Sequence, residues 1–200
     1  NLMKNKILIK NRYFFNKIAR YYDNKIFLKY LTNSQIKMLN FVKIKNNSKI
    51  LDVGCGTGNL LKILEKQNKN NHLYGIDISE EMLKIARKKL KKAKLKLQSA
   101  ENLDFKKSFD YVFSTEAFHH YANYKLVMRN FNNSLKRNGR LIALDFDFGF
   151  LLNRIFHSIE PGNNKMHSAL EFKKLFKQHG FRNIIQKRIN LFLLLTIGEK

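Results

Sequence analysis

A single cysteine and a single proline occur in the 200 residues, tryptophan is absent, and 15 Asp and Glu stand against 39 Lys and Arg. One cysteine excludes a disulfide framework, and with only six histidines beside it no multi-ligand metal site is expected. The sole proline, Pro161, sits with Gly162 in an expected loop, and no Pro/Gly/Ser-rich linker divides the chain. Long apolar runs are missing too. Leu191–Ile197, broken by Thr196, falls far short of the ~20 residues of a membrane-spanning helix. The opening Asn1-Leu2-Met3-Lys4 has neither an apolar core nor a small-residue cleavage site, so it does not read as a signal peptide. A reducing, cytoplasmic location is the expectation.

What is present is a core. Hydrophobic residues make up 44%, with 17 Phe and 8 Tyr, too many for a disordered basic tail. The length suits one domain. A net charge of +24 invites an anionic partner, whether nucleic acid or the surface of an anionic membrane. The competing reading is compositional: 30 Lys, 24 Asn and 18 Ile form a bias that AT-rich codons produce without selection for binding. The lysines run from Lys4 to Lys200 rather than in one block, which assigns most of them to outer helix faces.

Residues 11–43 read as two helices, with Phe14, Phe15, Ile18 and Tyr22 and then Ile26, Phe27, Tyr30 and Leu31 at helical spacing. From Lys49 the pattern turns to strand–helix alternation. Strands are expected at Lys49–Val53, His72–Asp77, Lys94–Gln98, Asp110–Ser114 and Arg140–Asp145. The helices between them are Asn59–Gln67, a segment capped by Ser79 that runs to about Lys92, and Tyr124–Lys136 with Gly139 as its C-cap. A last helix, Ala169–His179, is capped by Ser168 and Gly180, and 181–189 with 190–199 form a closing antiparallel pair. Such alternation predicts an α/β fold with a parallel sheet and helices on both faces.

The chemistry concentrates in Leu51-Asp52-Val53-Gly54-Cys55-Gly56-Thr57-Gly58-Asn59-Leu60. A strand ends in an acid, three alternating glycines follow, and a helix begins. Glycine allows positive φ and a close approach of ligand to backbone. In open α/β sheets ligands bind at the carboxyl ends of strands. Position 59 is Asn, so the dinucleotide spacing G-x-G-x-x-G is not met, and the phosphate-binding P-loop pattern is absent. The second strand ends at Asp77, 19 residues after Gly58, where an acid can accept two ribose hydroxyls.

These blocks in this order resemble the class I S-adenosylmethionine-dependent methyltransferases. Gly75-Ile76-Asp77-Ile78-Ser79, Ala100-Glu101-Asn102-Leu103, Phe109–His120 and Leu135–Leu141 each resemble a segment of that family, and Phe15–Asp23 resembles the N-terminal helix of its quinone and small-molecule members. The resemblance implies a Rossmann-like, doubly wound sheet of seven strands with the last antiparallel. It implies S-adenosylmethionine as cofactor, with Asp52, Gly54, Cys55, Gly56 and Gly58 around its amino-acid part. Asp77 would hold the ribose, Ile78 would lie on the adenine, Ala100 and Glu101 would flank its edge, and Thr115 and Tyr22 would complete the site. Ser99 stands where the family often has an Asp that accepts from the adenine amino group. In domain terms, 1–46 is a helical lid, 47–147 the cofactor core, 148–168 a substrate-covering insert and 169–200 a closing helix and strand pair.

Methyl transfer from a sulfonium needs no protein nucleophile; a general base helps where the acceptor is a hydroxyl or an acidic carbon. His119 and His120 are the candidate catalytic residues, with Glu116 and Asp145 also near the carboxyl edge of the sheet; the histidine pair also reads as a structural cap on the pocket. No Asn/Asp-Pro-Pro-Tyr tetrapeptide follows the fourth strand, where Ser114-Thr115-Glu116-Ala117 stands. The expected acceptor is therefore a small, quinone- or lipid-like molecule. The alternatives are an RNA methyltransferase, and a non-catalytic protein binding S-adenosylmethionine or nucleic acid.

Overall fold

The computed structural model describes residues 2–22, 25–67, 70–149 and 165–200. Helices α1 (Leu2–Tyr22) and α2 (Lys25–Leu39) precede β1 (Lys49–Val53), α3 (Asn59–Gln67), β2 (His72–Asp77), α4 (Glu80–Lys89) and β3 (Lys94–Leu97). Then come β4 (Phe109–Thr115), α5 (Tyr124–Ser134), β5 (Leu135–Phe146), α6 (Ala169–Gln178), β6 (Arg182–Arg188) and β7 (Leu193–Glu199). Short 3₁₀ turns lie at Ala100–Asn102 and Phe118–His120.

One seven-stranded sheet runs in the order β3-β2-β1-β4-β5-β7-β6, with β7 antiparallel to both its neighbours. Successive residues of the central strands serve opposite faces. Ile50, Phe113, Ile142 and Leu144 pack with α2, α3 and α4, and Leu51, Val112, Leu141 and Ala143 with α5 and α6. Burial on both faces is why these strands read as unbroken apolar runs. Chain order reverses between β1 and β4, and a crevice opens there at the strands' carboxyl ends.

Local signals account for the edges of several elements. The Ser79 side chain accepts from Met82 N at 3.1 Å and opens α4, whose first turn carries Glu80 and Glu81. Ser168 and Glu171 form a capping box on α6. Three expectations need correction. The first helix starts at Leu2, well before residue 11. Helix α5 stops at Ser134, and Leu135 is already paired with Phe109 across a register shift. Gly139 is therefore no C-cap. The left-handed residue of that turn is Asn138 (φ 62°), and a Cβ on Gly139 would meet the Lys136 carbonyl at 2.9 Å. The expected insert at 148–168, with the Pro161-Gly162 loop, lies largely outside the described residues. Among the described residues no helix is long and apolar enough to cross a membrane.

Candidate active site

The loop after β1 is fixed by backbone bonds to β2. Gly54 N and Cys55 N donate to the Ile76 carbonyl at 2.9 and 3.0 Å, and Gly58 N closes a turn on the Cys55 carbonyl at 2.9 Å. Gly54, Gly56 and Gly58 have φ of 75°, 51° and 79°. Two of them also lack space: a Cβ on Gly54 would meet Ala117 Cβ at 2.7 Å, and one on Gly58 would meet Leu90 Cδ1 at 2.8 Å. Gly56 has nothing within 4 Å on that side.

Asp77, 8% exposed, ties the loop to α4. Its Oδ2 accepts from Gly56 N and its Oδ1 from Ser79 N, both at 2.8 Å. Each oxygen keeps a lone pair for a further donor. Burial raises the Asp77 carboxyl above its ordinary range, against the pull of these N–H groups.

Two connected lobes lie over the loop and share Gly54, Gly56, Thr115 and Glu116. The first, about 640 Å³ and partly open to solvent, is lined by Asp77, Ile78, Gln98, Ala100, Glu101 and His120, with Leu8, Asn11 and Phe15 of α1 across it. The second, about 370 Å³, lies among Asp52, Cys55, Asn59 and Leu60 and residues Leu28, Leu31 and Gln35 of α2. Among the described residues no Lys or Arg lines either lobe. In a chain of net charge +24, that leaves a locally acidic hollow.

Its acids are unusual. Burial, then the charge of Asp77, pushes the Asp52 carboxyl up to about 8. Glu116 is also pushed up to about 8 by burial; a bond from Gln35 opposes the rise and the Asp145 charge adds to it. Glu116 has φ 50°, a left-handed conformation that costs a non-glycine residue about 1–3 kcal/mol and clusters at functional sites. Asp52 Oδ1, Glu116 Oε1 and Gln98 Oε1 are buried with no hydrogen-bond partner in the protein. Burial raises the Cys55 thiol well above its ordinary value, which disfavours the nucleophilic thiolate.

The two histidines separate. His120 lines the first lobe, its ring edge-on to Phe15 at 4.9 Å and its carbonyl accepting from Asn11 Nδ2 at 2.8 Å. His119 lines neither lobe. Its Nδ1 lies 2.5 Å from Asp145 Oδ1, and its backbone N–H donates to Asp145 Oδ2 at 2.9 Å. Burial pushes the Asp145 carboxyl up, but the partnership with His119 outweighs it and holds the group below its ordinary range.

Of the other expected site residues, Gly54, Gly56, Asp77, Ile78, Ala100, Glu101 and Thr115 line the first lobe, and Asp52 and Cys55 line the second. Gly58 lines neither and packs under α4, while the Tyr22 side chain lies outside the described residues. Glu101 Oε1 accepts from Ala122 N at 3.0 Å, which joins the Ala100–Asn102 turn to the segment that leads into α5. Ser99 is spent locally, accepting from Asn102 N at 3.3 Å.

Three residues had no motif to announce them. Gln98 faces the lobe beside Ser99. Tyr121 donates to the Val53 carbonyl at 2.9 Å and roofs the glycine loop. Asn130 reaches from α5 to the Ala100 and Glu101 carbonyls at 3.0 and 2.8 Å. An Asn among Val127, Met128 and Phe131 on the apolar face of a helix was the available signal for the last.

A family model described as a methyltransferase domain matches residues 44–189. The chain is 33% identical over 191 residues to an uncharacterized protein of Methanocaldococcus jannaschii, covering 94% of this chain and 66% of that protein. It is 32% identical over 135 residues to the demethylmenaquinone methyltransferase of Thermotoga maritima, covering 66% of this chain and 59% of that enzyme. The chain thus spans about two thirds or less of these relatives' length. Among solved structures, a Haloferax volcanii protein assigned as a methyltransferase, in complex with the Trm112 methyltransferase activator, superposes with a TM-score of 0.81 at 19% identity, covering 92% of this chain and 96% of that one. With the family model spanning most of the chain and the sheet topology agreeing, the chain belongs to the class I S-adenosylmethionine-dependent methyltransferases, whose cofactor is S-adenosylmethionine.

Proposed function

We propose that the protein transfers the methyl group of S-adenosylmethionine to a small, largely apolar acceptor bound beneath α1 and α2. The observation that carries this is the acid-lined hollow at the β1–β4 crevice, free of Lys and Arg among the described residues and walled on its outer side by apolar side chains of the two N-terminal helices. The residues fit the cofactor. Its sulfonium and ammonium are cations, and the hollow offers Asp52 and Glu116, each with an oxygen lacking a protein partner. Gly54 and Gly56 let its backbone-hugging amino-acid part approach, with Cys55 and Thr115 beside them and Gly58 setting the turn. Asp77 takes the ribose hydroxyls, Ile78 lies against the adenine, and Ala100 and Glu101 flank its edge.

Gln98 supplies what Ser99 does not. Its Nε2 donates to the Asn102 carbonyl at 2.6 Å, which leaves Oε1 as a buried acceptor for the adenine amino group. Gln98→Leu is expected to weaken S-adenosylmethionine binding roughly five- to tenfold, the loss of one hydrogen bond worth about 1 kcal/mol. Titration calorimetry checks it; an unchanged dissociation constant removes Gln98 from the adenine site.

The bound cofactor supplies an electrophilic methyl group, and the protein's task is to orient and desolvate. His120 stands at the lobe wall, where it can take a proton from an acceptor. His119, anchored on Asp145, is a positioning residue for the 118–120 turn. Leu28, Leu31, Leu60, Leu8 and Phe15 favour an apolar acceptor body, and the quinone substrate named for the Thermotoga relative supports the same class. The test is transfer of labelled methyl from S-adenosylmethionine into a fractionated cell extract. Label is expected in an organic-soluble small-molecule fraction; label in RNA overturns the reading.

A further inference from the structure

Glu116 is held in a way that leaves one of its oxygens for a ligand. Its backbone, at φ 50°, is fixed where β4 ends by donation of its N–H to the Leu144 carbonyl at 2.7 Å. Gln35 Nε2 donates to Oε2 at 3.0 Å. The orientation of that amide is set by a relay: Gln35 Oε1 accepts from Asn59 Nδ2 at 2.7 Å, and Asn59 Oδ1 accepts from Thr32 Oγ1 at 3.2 Å. With the amide so locked, Oε1 stays buried and without a protein partner, on a residue that lines both lobes.

The acids beside it disfavour a second negative charge there. Asp52 faces it from β1 and Asp145 from β5, and both raise its proton affinity. Tyr30 faces it from α2 and carries no positive charge, and His120 shares the first lobe. Among the described residues no Lys or Arg lines the space. A buried carboxylate in such surroundings needs a cation, and among the described residues no Lys or Arg supplies one.

We propose that Glu116 gives up a proton to solvent when a cationic group of the ligand takes the position beside its Oε1, so that cofactor binding and ionisation of this carboxyl are one event. The inference rests on the cofactor reading above and deepens it. Free protein carries the neutral carboxyl, and the complex carries a carboxylate paired with the ligand cation.

The experiment needs no methyl acceptor. S-adenosylmethionine is titrated calorimetrically at pH 7.0 in phosphate and in Tris, whose ionisation enthalpies differ, and the difference in heat gives the protons released. Wild type is expected to release at least about one proton per cofactor, and Glu116→Gln about one fewer, while Asp52→Asn keeps the Glu116 share. Equal release by wild type and Glu116→Gln overturns the proposal, as does binding without release. Absence of any binding heat removes the cofactor reading as well, which separates the two failures. Should Glu116→Gln not fold, carbon NMR of the wild-type carboxyl decides. Its titration midpoint falls on adding S-adenosylmethionine if the proposal holds, and an unmoved midpoint contradicts it.

Discussion

Asp77→Ala is expected to lower affinity for S-adenosylmethionine by two to three orders of magnitude, read by titration calorimetry. The carboxylate holds two backbone donors at 2.8 Å, one in the glycine loop and one at the start of α4. Removing it frees both and takes away the ribose partner in the same stroke. Hydrogen bonds to a charged group are worth about 1.5–3 kcal/mol each, so losing the ribose contacts with some disorder of the loop amounts to about 3–4 kcal/mol. Asp77→Asn is expected to fall between, because its amide oxygen keeps one acceptor but its NH₂ faces a backbone donor. Binding unchanged in Asp77→Ala would contradict the placement of the nucleoside.

The second large effect is on stability. Asp145→Ala is expected to cost about 3–5 kcal/mol, because it strands the His119 ring and the His119 backbone N–H in a site 2% exposed. In a chain of this length that lowers the melting temperature by about 10 °C. The pH dependence has a sign. Asp145 is held below its ordinary range, so its contribution is present above the unfolded-state value and is lost as pH falls through the folded one. Asp52 and Glu116, raised to about 8, act in the opposite sense. In the window from about 4 to 8 the folded state binds more protons at these two sites, and their contribution is lost as pH rises. Thermal melts of wild type and Asp145→Ala from pH 3 to pH 8 are expected to converge at the acid end. Parallel curves would mean that the pair is not linked to folding.

The parts of this site that could be read from the sequence are the parts made by neighbours in the chain. The acid–glycine loop, Asp77 at the end of β2, and the Ser79 and Ser168 caps each depend on residues a few positions apart. Helix α3 and strand β2 fall at the expected boundaries because their apolar periods are complete and their ends carry turn residues. The rest depends on topology. Gln35 meets Glu116 across 81 positions, and Tyr121 meets Val53 across 68. Nothing local at Glu116 announces a left-handed acid; its conformation is imposed where β4 ends against β5. His119 and His120 are equivalent as sequence, yet a single 3₁₀ turn sends one to Asp145 and the other to the lobe. The scarcity of acids was the more telling half of the charge balance. Asp52, Asp77, Glu101 and Glu116 line the two lobes at the carboxyl edge with Asp145 beside them, and among the described residues no lysine lines either lobe.

A crystal structure of the complex with S-adenosylhomocysteine, the demethylated product, tests the central claim most directly. The adenosine is expected in the lobe of Asp77, Ile78 and Gln98, with both ribose hydroxyls on the Asp77 carboxylate, and the amino-acid end against Gly54 and Gly56 beside Asp52 and Glu116. A nucleoside bound elsewhere on the protein, with these two lobes free of ligand at saturating concentration, would contradict it.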